Sequence, residues 1–421
     1  MAGTLRFVFS LTGILLAYAV YVLGPPIHHS LTVLGVFRRD PLSTLSAEEF
    51  IIIRDTTHCE DLHYYAPSGS LFAACEDNPD TRFGWFPPLA NFDDPELGKR
   101  GRGSIHVIDP KARHPTMKSQ RLTFENFDST FVTHGIDVIA DPEQGDDGKA
   151  VFIFAINHLP DGTHPNARSQ IEVFHHAIGS STIRHIRSVW HPLIRTPNDL
   201  YASSPTSVYV TNDHWYREGL LRGIEDAFSG AKWTDTVLLK IDLSITTDSE
   251  VGVVGSVALD NMHNNNGLGH GRSPNEILIA DAAGGMLSIG QVLPNGNITV
   301  VDTLQAESVI DNPSYFTDAA TGVSGFVLPG IARAVDLEHT KRDPDATNSV
   351  MVWFAWEQEA PLPRWGQRLL FQDDGSKIRS ASAAVLVRAE SAESIGKVER
   401  QAWLFVTGFQ SANMIAVKVD L

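Results

Sequence analysis

The chain has 421 residues, 43% hydrophobic and 20% charged, the balance of an ordinary globular protein rather than a disordered one. Its 33 basic and 50 acidic side chains leave a formal charge of −17, which argues against nucleic acid as a partner, because phosphate binding needs a basic face. An acidic surface serves solubility, and acidic groups that converge on one point hold a cation.

Arg6 precedes an apolar run from Phe7 to Leu23, and Gly24-Pro25-Pro26 closes it. The run sits at the short end of the roughly 17–25 residues that cross a bilayer, and it also has the form of a secretory h-region. With no clear small-x-small cleavage site before the prolines, residues 1–24 are expected to form an uncleaved signal-anchor helix, a cleaved signal peptide being the alternative. Either sends the chain into the secretory pathway, held to a membrane by this segment or secreted. Residues 25–49 then read as a stalk and 50–421 as the folded domain.

Cys59 and Cys75 lie nearly equidistant from the turn Ala66-Pro67-Ser68-Gly69, within what reads as one hairpin. A disulfide is expected between them, with two buried thiols as the alternative. Residues 78–103 form an insertion rich in Asp, Pro, Gly and aromatics, readable as a surface excursion or as a flap over a site.

Beyond residue 50, short runs of Val, Ile, Phe and Tyr alternate with Gly, Pro, Asn and Asp; Ser104–Ile108, Ala150–Ile156, Glu276–Ile279, Met351–Ala355 and Met414–Val419 are examples. Helical spacing is scarce, and Arg217–Phe228 carries the best of it, with Leu220, Leu221, Ile224 and Phe228 on one face. The chain is therefore expected to be all-β. Turn-plus-strand units recur at gaps that are mostly roughly 60–75 residues, enough for a four-stranded blade with generous loops. About six such blades fit, so the fold expected is a six-bladed β-propeller. Closure would pair a strand near Phe50–Arg54 with Met414–Val419, leaving no open edge.

Each recurring unit carries an oxygen-bearing side chain in a turn that enters a strand. Innermost strands of a propeller all start around one channel, so such groups converge there. Glu60, Asn198, Asn266, Asp311 and Asn312 offer five hard oxygens with two negative charges, a set suited to calcium. Asp61 and Asp199 follow two of them and, by strand alternation, would face a second and deeper ion, which the Ile136 carbonyl could join.

These residues lie in motifs that resemble the serum paraoxonase/arylesterase family. They are His58-Cys59-Glu60-Asp61-Leu62, His134-Gly135-Ile136, Ala155-Ile156-Asn157-His158, Pro197-Asn198-Asp199-Leu200, Tyr209-Val210-Thr211-Asn212-Asp213-His214, Asn266-Gly267-Leu268 and Asp311-Asn312, in the family's order. The resemblance spans residues 50–421, is strongest over 131–216 and thins after 320. It implies a six-bladed propeller with two calcium ions in its channel, acting on small-molecule esters or lactones. Carried over, Glu60, Asn198, Asn266, Asp311 and Asn312 hold a catalytic ion. Asp61, the Ile136 carbonyl and Asp199 hold a structural one. His134 and His158 are the family's histidine pair. Within Asn264-Asn265-Asn266, the following Gly267 selects Asn266.

The mechanism expected has calcium polarising the carbonyl, His134 taking a proton from water, and His158 orienting His134 or relaying that proton. Asp311 or Glu60 is the rival base. Two other readings keep the propeller: a metal-retaining enzyme of non-hydrolytic cyclisation or condensation, and a non-catalytic calcium-stabilised binding module. The family joins its terminal regions by a disulfide, for which this chain has no cysteines, and the segments at 78–103 and 217–233 also depart from it.

Asn297-Ile298-Thr299 is a glycosylation sequon. Asp213-His214 reads as pocket floor or as a buried structural hydrogen bond. His263 and His270 read as loop histidines rather than transition-metal ligands. His175-His176 reads as one imidazole out and one in. No P-loop, dinucleotide fingerprint, Gly-x-Ser-x-Gly elbow or His-Glu-x-x-His occurs.

Overall fold

A computed structural model describes residues 2–43, 50–112, 117–144, 148–161, 166–359, 364–389 and 400–421. Second strands such as Glu276–Asp281 are buried along their whole length, because a neighbouring blade covers each face. Outer strands such as Ile298–Gln305 alternate between buried and exposed residues. That gradient is what a radial stack of sheets imposes on its sequence.

Six sheets follow one another in chain order. Their first strands are Asp61–Tyr65, Thr133–Ala140, Pro197–Ser204, Asn265–His270, Ser314–Asp318 and Ala381–Arg388, which we number blades 1 to 6. Each first strand touches those of its neighbours around a ring, so together they wall a central channel. Blade 2 gains a fifth strand, Thr123–Glu125, parallel to its outer edge. Phe50–Ile53 completes blade 6 by pairing antiparallel with Met414–Asp420, the closure foreseen from sequence. Apolar clusters fill the gaps between blades, such as Phe154, Ile171 and Val173 against Val208, Val210 and Leu239 between blades 2 and 3. Burial between blades, rather than within them, supplies the main cohesion.

Cys59 and Cys75 are disulfide-bonded. The register of the first hairpin pairs Asp61 with Ala74, which brings Cys59 beside Cys75.

The N-terminus departs from expectation. One helix spans Ala2–Val33 and runs through Pro25 and Pro26 instead of ending there. Its last turns gain contacts that offset the two lost N–H donors. Val33 is buried, its carbonyl accepts from Val309 N at 3.2 Å, and His29 Nε2 lies 2.9 Å from the Gly284 carbonyl. Arg38 then reaches the carbonyls of Ala332 and Glu307. Residues 28–38 therefore dock on the propeller, where a stalk over 25–49 was expected; residues 44–49 lie outside the described residues. Among the described residues no helix is long and apolar enough to cross a membrane.

The helix foreseen over Arg217–Phe228 forms at Leu220–Ala227, facing the other way. Leu220, Leu221, Ile224 and Phe228 are exposed, while Arg222 and Glu225 are buried. Polar contacts decide its orientation: Glu225 accepts the N–H groups of Trp215 and Tyr216 at 2.7 and 3.0 Å, and Arg222 bonds the Pro88 carbonyl.

Candidate active site at the upper mouth of the channel

Glu60, His134, Asn198 and Asn266 stand at or just before the starts of the first strands of blades 1, 2, 3 and 4, and Asp311 and Asn312 lie in the turn entering blade 5. A propeller aligns strand starts at one end, so these residues meet at one mouth. Glu60, His134, Asn198, Asn266 and Asp311 all line a cavity of about 330 Å³ there, and Asn312 donates to Glu60 Oε1 at 3.1 Å.

Glycines make the approach possible. A Cβ on Gly135 would lie 2.4 Å from Asp199 Oδ1, and one on Gly267 would lie 2.6 Å from Asn312 Oδ1. The His-Gly-Ile and Asn-Gly-Leu motifs therefore owe their glycines to crowding around the channel.

One observation tests whether a cation fits. Glu60 Oε2, Asn198 Oδ1, Asn266 Oδ1, Asp311 Oδ1 and Asn312 Oδ1 are buried and accept no hydrogen bond from any described residue. Five orphaned acceptors on five candidate ligands would be costly unless a positive charge completes them. The donor set is all oxygen, which suits a hard cation. Burial, then Asp311 and Asp61, pushes the Glu60 carboxyl well above its usual range, and burial, then Asp61 and Asp213, does the same to Asp311. Asn264 Oδ1 accepts from Ala283 N at 2.9 Å, and Asn265 Oδ1 is unpartnered like that of Asn266, but of those two only Asn266 lines the cavity.

The layer below differs. Asp61 accepts from Leu62 N at 2.7 Å and Ile136 N at 2.8 Å; Asp199 accepts from Leu200 N at 2.7 Å and Leu268 N at 2.6 Å. Each carboxylate thus ties its own blade to the next. Burial raises Asp61 to about 6 despite those two N–H groups, and burial with Asp61 and Glu60 raises Asp199 well above its usual range. Ile136 reaches this layer through its N–H.

His134 Nδ1 lies 3.1 Å from His158 Nε2, and His158 Nδ1 lies 2.8 Å from Ser169 Oγ. His134 Nε2 faces Glu60 Oε1 at 3.7 Å. Burial, reinforced by Arg82, pushes His134 down to about 3, and burial with His134 itself pushes His158 well below the usual imidazole range, so both rings are neutral at pH 7. Asp213 and His214 line the cavity as the floor reading expected. Burial and Arg222 act to lower His214, yet Asp213 and Asp226, at 3.1 and 2.7 Å, raise it to about 9.

Several residues here had no sequence signal. The 78–103 segment folds inward as a cover: the Phe86 ring meets His134 at 5.4 Å and His158 at 5.9 Å, both edge-on. Arg82, wholly buried, stacks over Phe86 at 3.9 Å and adds a fixed positive charge near Glu60. Ser169, Arg222 and Asp226 arrive from positions where polar residues are ordinary. A lone Arg or Phe in a Pro-rich loop announces nothing until the loop closes over the channel.

Among the loop histidines, His263 bonds Asp281 at 2.9 Å and the Glu225 carbonyl at 2.7 Å. His270, by contrast, lies within a first strand. His176 is buried and His175 half-buried.

The arylesterase family model matches residues 91–402. The chain belongs to the arylesterase family. Among the relatives of this arylesterase-family chain is mouse serum paraoxonase/arylesterase 1, 25% identical over 56% of this chain and 59% of its own. Rat serum paraoxonase/arylesterase 2 is 25% identical over 50% and 53%. Chicken serum paraoxonase/arylesterase 2 is 26% identical over 68% and 72%. The chain thus spans somewhat over half the length of the first two.

Proposed function

We propose that the upper mouth is the active site of a calcium-dependent hydrolase of carboxylic esters or lactones. The observation that carries this reading is the set of five buried, unpartnered oxygens from Glu60, Asn198, Asn266, Asp311 and Asn312, facing a histidine pair across one cavity. Those five residues would hold the catalytic ion. Asp61, Asp199 and the Ile136 carbonyl would hold a structural one. When bound, calcium supplies Lewis-acid stabilisation of the charge that develops on a carbonyl oxygen. Relatives named for arylesterase activity support the reaction class.

The remaining chemistry belongs to side chains. Ser169, His158 and His134 form a chain of hydrogen bonds with one proton per link. With His158 Nδ1–H donating to Ser169, His158 Nε2 accepts from His134 Nδ1–H, which leaves the His134 Nε2 lone pair free for a proton of water. The opposite tautomer turns Nε2–H toward Glu60 and blocks that role. Base action at His134 therefore requires the tautomer in which the Ser169 hydroxyl accepts from His158. An imidazole held at about 3 is a weak base, so position rather than basicity has to supply its effect. Phe86 keeps bulk water off the pair, and Leu89, Val309 and Phe409 give an apolar wall for the acyl or leaving group.

The test is hydrolysis of phenyl acetate and a panel of γ- and δ-lactones, with EDTA and after calcium is restored. Turnover lost to EDTA, regained with calcium and reduced in His134→Gln is the expected result. Tight calcium binding without turnover of any ester or lactone would overturn the hydrolase.

We also propose maturation in the secretory pathway, supported by the Cys59–Cys75 disulfide and by the exposure of Asn297 in the sequon. Mass spectrometry of the secreted or membrane-bound chain, before and after deglycosylation, checks it; a cytosolic chain with free thiols would refute it.

A further inference from the structure

At the opposite mouth of the channel stands a cluster that the ester chemistry does not use. His63 comes from the first strand of blade 1, Asp137 from that of blade 2 and His270 from that of blade 4. His63 follows Asp61 by two residues on one strand, and His270 lines the same lower cavity as His63, Asp61 and Asp137. We propose that these three side chains form a separate site for a borderline divalent transition metal of the Zn2+ class.

Geometry carries the proposal. His63 Nδ1 lies 2.9 Å from Asp137 Oδ1, and His270 Nε2 lies 2.9 Å from both Asp137 oxygens. The three ligand atoms fall within 4.8 Å of one another, and among the described residues no other group of three His, Cys, Asp or Glu gathers so closely. The two imidazole planes stand at 89° with centroids 5.4 Å apart, and a nitrogen of each ring lies 2.9 Å from Asp137 Oδ1. Zn–N and Zn–O bonds of about 2.0–2.1 Å in a tetrahedron imply ligand–ligand edges of roughly 3.3 Å, so a shift of a few tenths of an ångström admits the ion.

The surroundings are those of a held site. Asp137 accepts from Val138 N at 2.8 Å and Ala202 N at 2.6 Å, which fixes its carboxylate in place. The His270 ring rests on Tyr201, with centroids 4.5 Å apart. A cavity of about 100 Å³ adjoins the cluster, with room for water as the fourth ligand. The His270 side chain is 40% exposed, which opens a path for the ion, whereas that of Asp137 is 2% exposed. Two imidazoles and one carboxylate select a metal of the zinc kind, just as the all-oxygen set above selects a hard cation. One channel thus carries two donor chemistries at its two ends. The lower ion joins blades 1, 2 and 4 across the axis and so acts as a clasp.

The full chain, kept in calcium and freed of zinc with a zinc-selective chelator, is titrated with Zn2+ by calorimetry and with Co2+ by visible absorption. One Zn2+ per chain should bind at micromolar or tighter affinity, with tetrahedral d–d bands for Co2+ and a rise in Tm. His63→Gln and His270→Gln should each weaken that binding by about 100-fold or more and abolish the zinc-dependent Tm rise, beyond what loss of a supporting contact does. His175→Gln, from an isolated His–Asp pair, should change nothing. No stoichiometric Zn2+ binding in the wild type, or its retention in the His63→Gln/His270→Gln double variant, overturns the proposal. Circular dichroism of each variant in calcium confirms the fold being compared.

Discussion

Two neighbouring layers of the channel hold acidic groups of the same kind and treat them differently. In the upper layer Glu60 Oε2 and Asp311 Oδ1 accept nothing from any described residue, while in the next layer both oxygens of Asp61 and of Asp199 take backbone N–H groups. Satisfied carboxylates lace one blade to the next; unsatisfied ones mark a place for charge from outside. The lower carboxylates brace the blades through their N–H bonds and keep lone pairs for the proposed structural ion, whereas the upper oxygens have only an outside charge to complete them.

The largest effect expected is on chemistry alone. Asp311→Ala should lower ester hydrolysis by more than about a thousandfold with little change in Tm, because Oδ1 holds no other part of the protein. A large fall in Tm instead would put Asp311 among the bracing carboxylates. Asp199→Ala is the mirror case. It strands the N–H groups of Leu200 and Leu268 and should cost about 2–4 kcal/mol, read as a fall of several degrees in a calorimetric scan. An unchanged Tm would erase the distinction between the layers.

Smaller effects sharpen it. Phe86→Ala should lower kcat/KM about 10- to 100-fold, by letting water and disorder reach the histidine pair, while Phe86→Leu keeps most activity. Equal losses in the two variants would show that packing bulk is not what matters there. The smallest effect is on pH. His214, raised to about 9, favours the folded state while protonated, so its contribution is complete below about pH 6.5 and fades as pH rises through about 9. Stability measured by urea melts should fall over that window in the wild type and fall less in His214→Asn.

Much of this site was legible because its residues sit in turns that lead into strands. Glu60, Asn198 and Asp311 each end a polar turn before an apolar run, and a propeller makes such positions coincide. Arg82 and Phe86 were not legible, since their role depends on a loop folding inward, which no local pattern encodes. The Leu220–Ala227 helix was visible by its period, but its orientation was not: burying Glu225 against two N–H groups outweighed burying Leu220. His270 read as an ordinary loop histidine because its partners, His63 and Asp137, lie 207 and 133 residues away.

Sequence alone determined the all-β character and pointed to about six blades, their closure and a disulfide that it left open against two thiols, because these follow from strand periodicity, spacing and the position of one turn. Only the tertiary structure decided the docking of the N-terminal helix, the inward fold of the 78–103 segment and the division of the channel into layers. Those features depend on which polar atoms find partners across blades, and partnership is a property of three-dimensional proximity that a linear pattern does not carry.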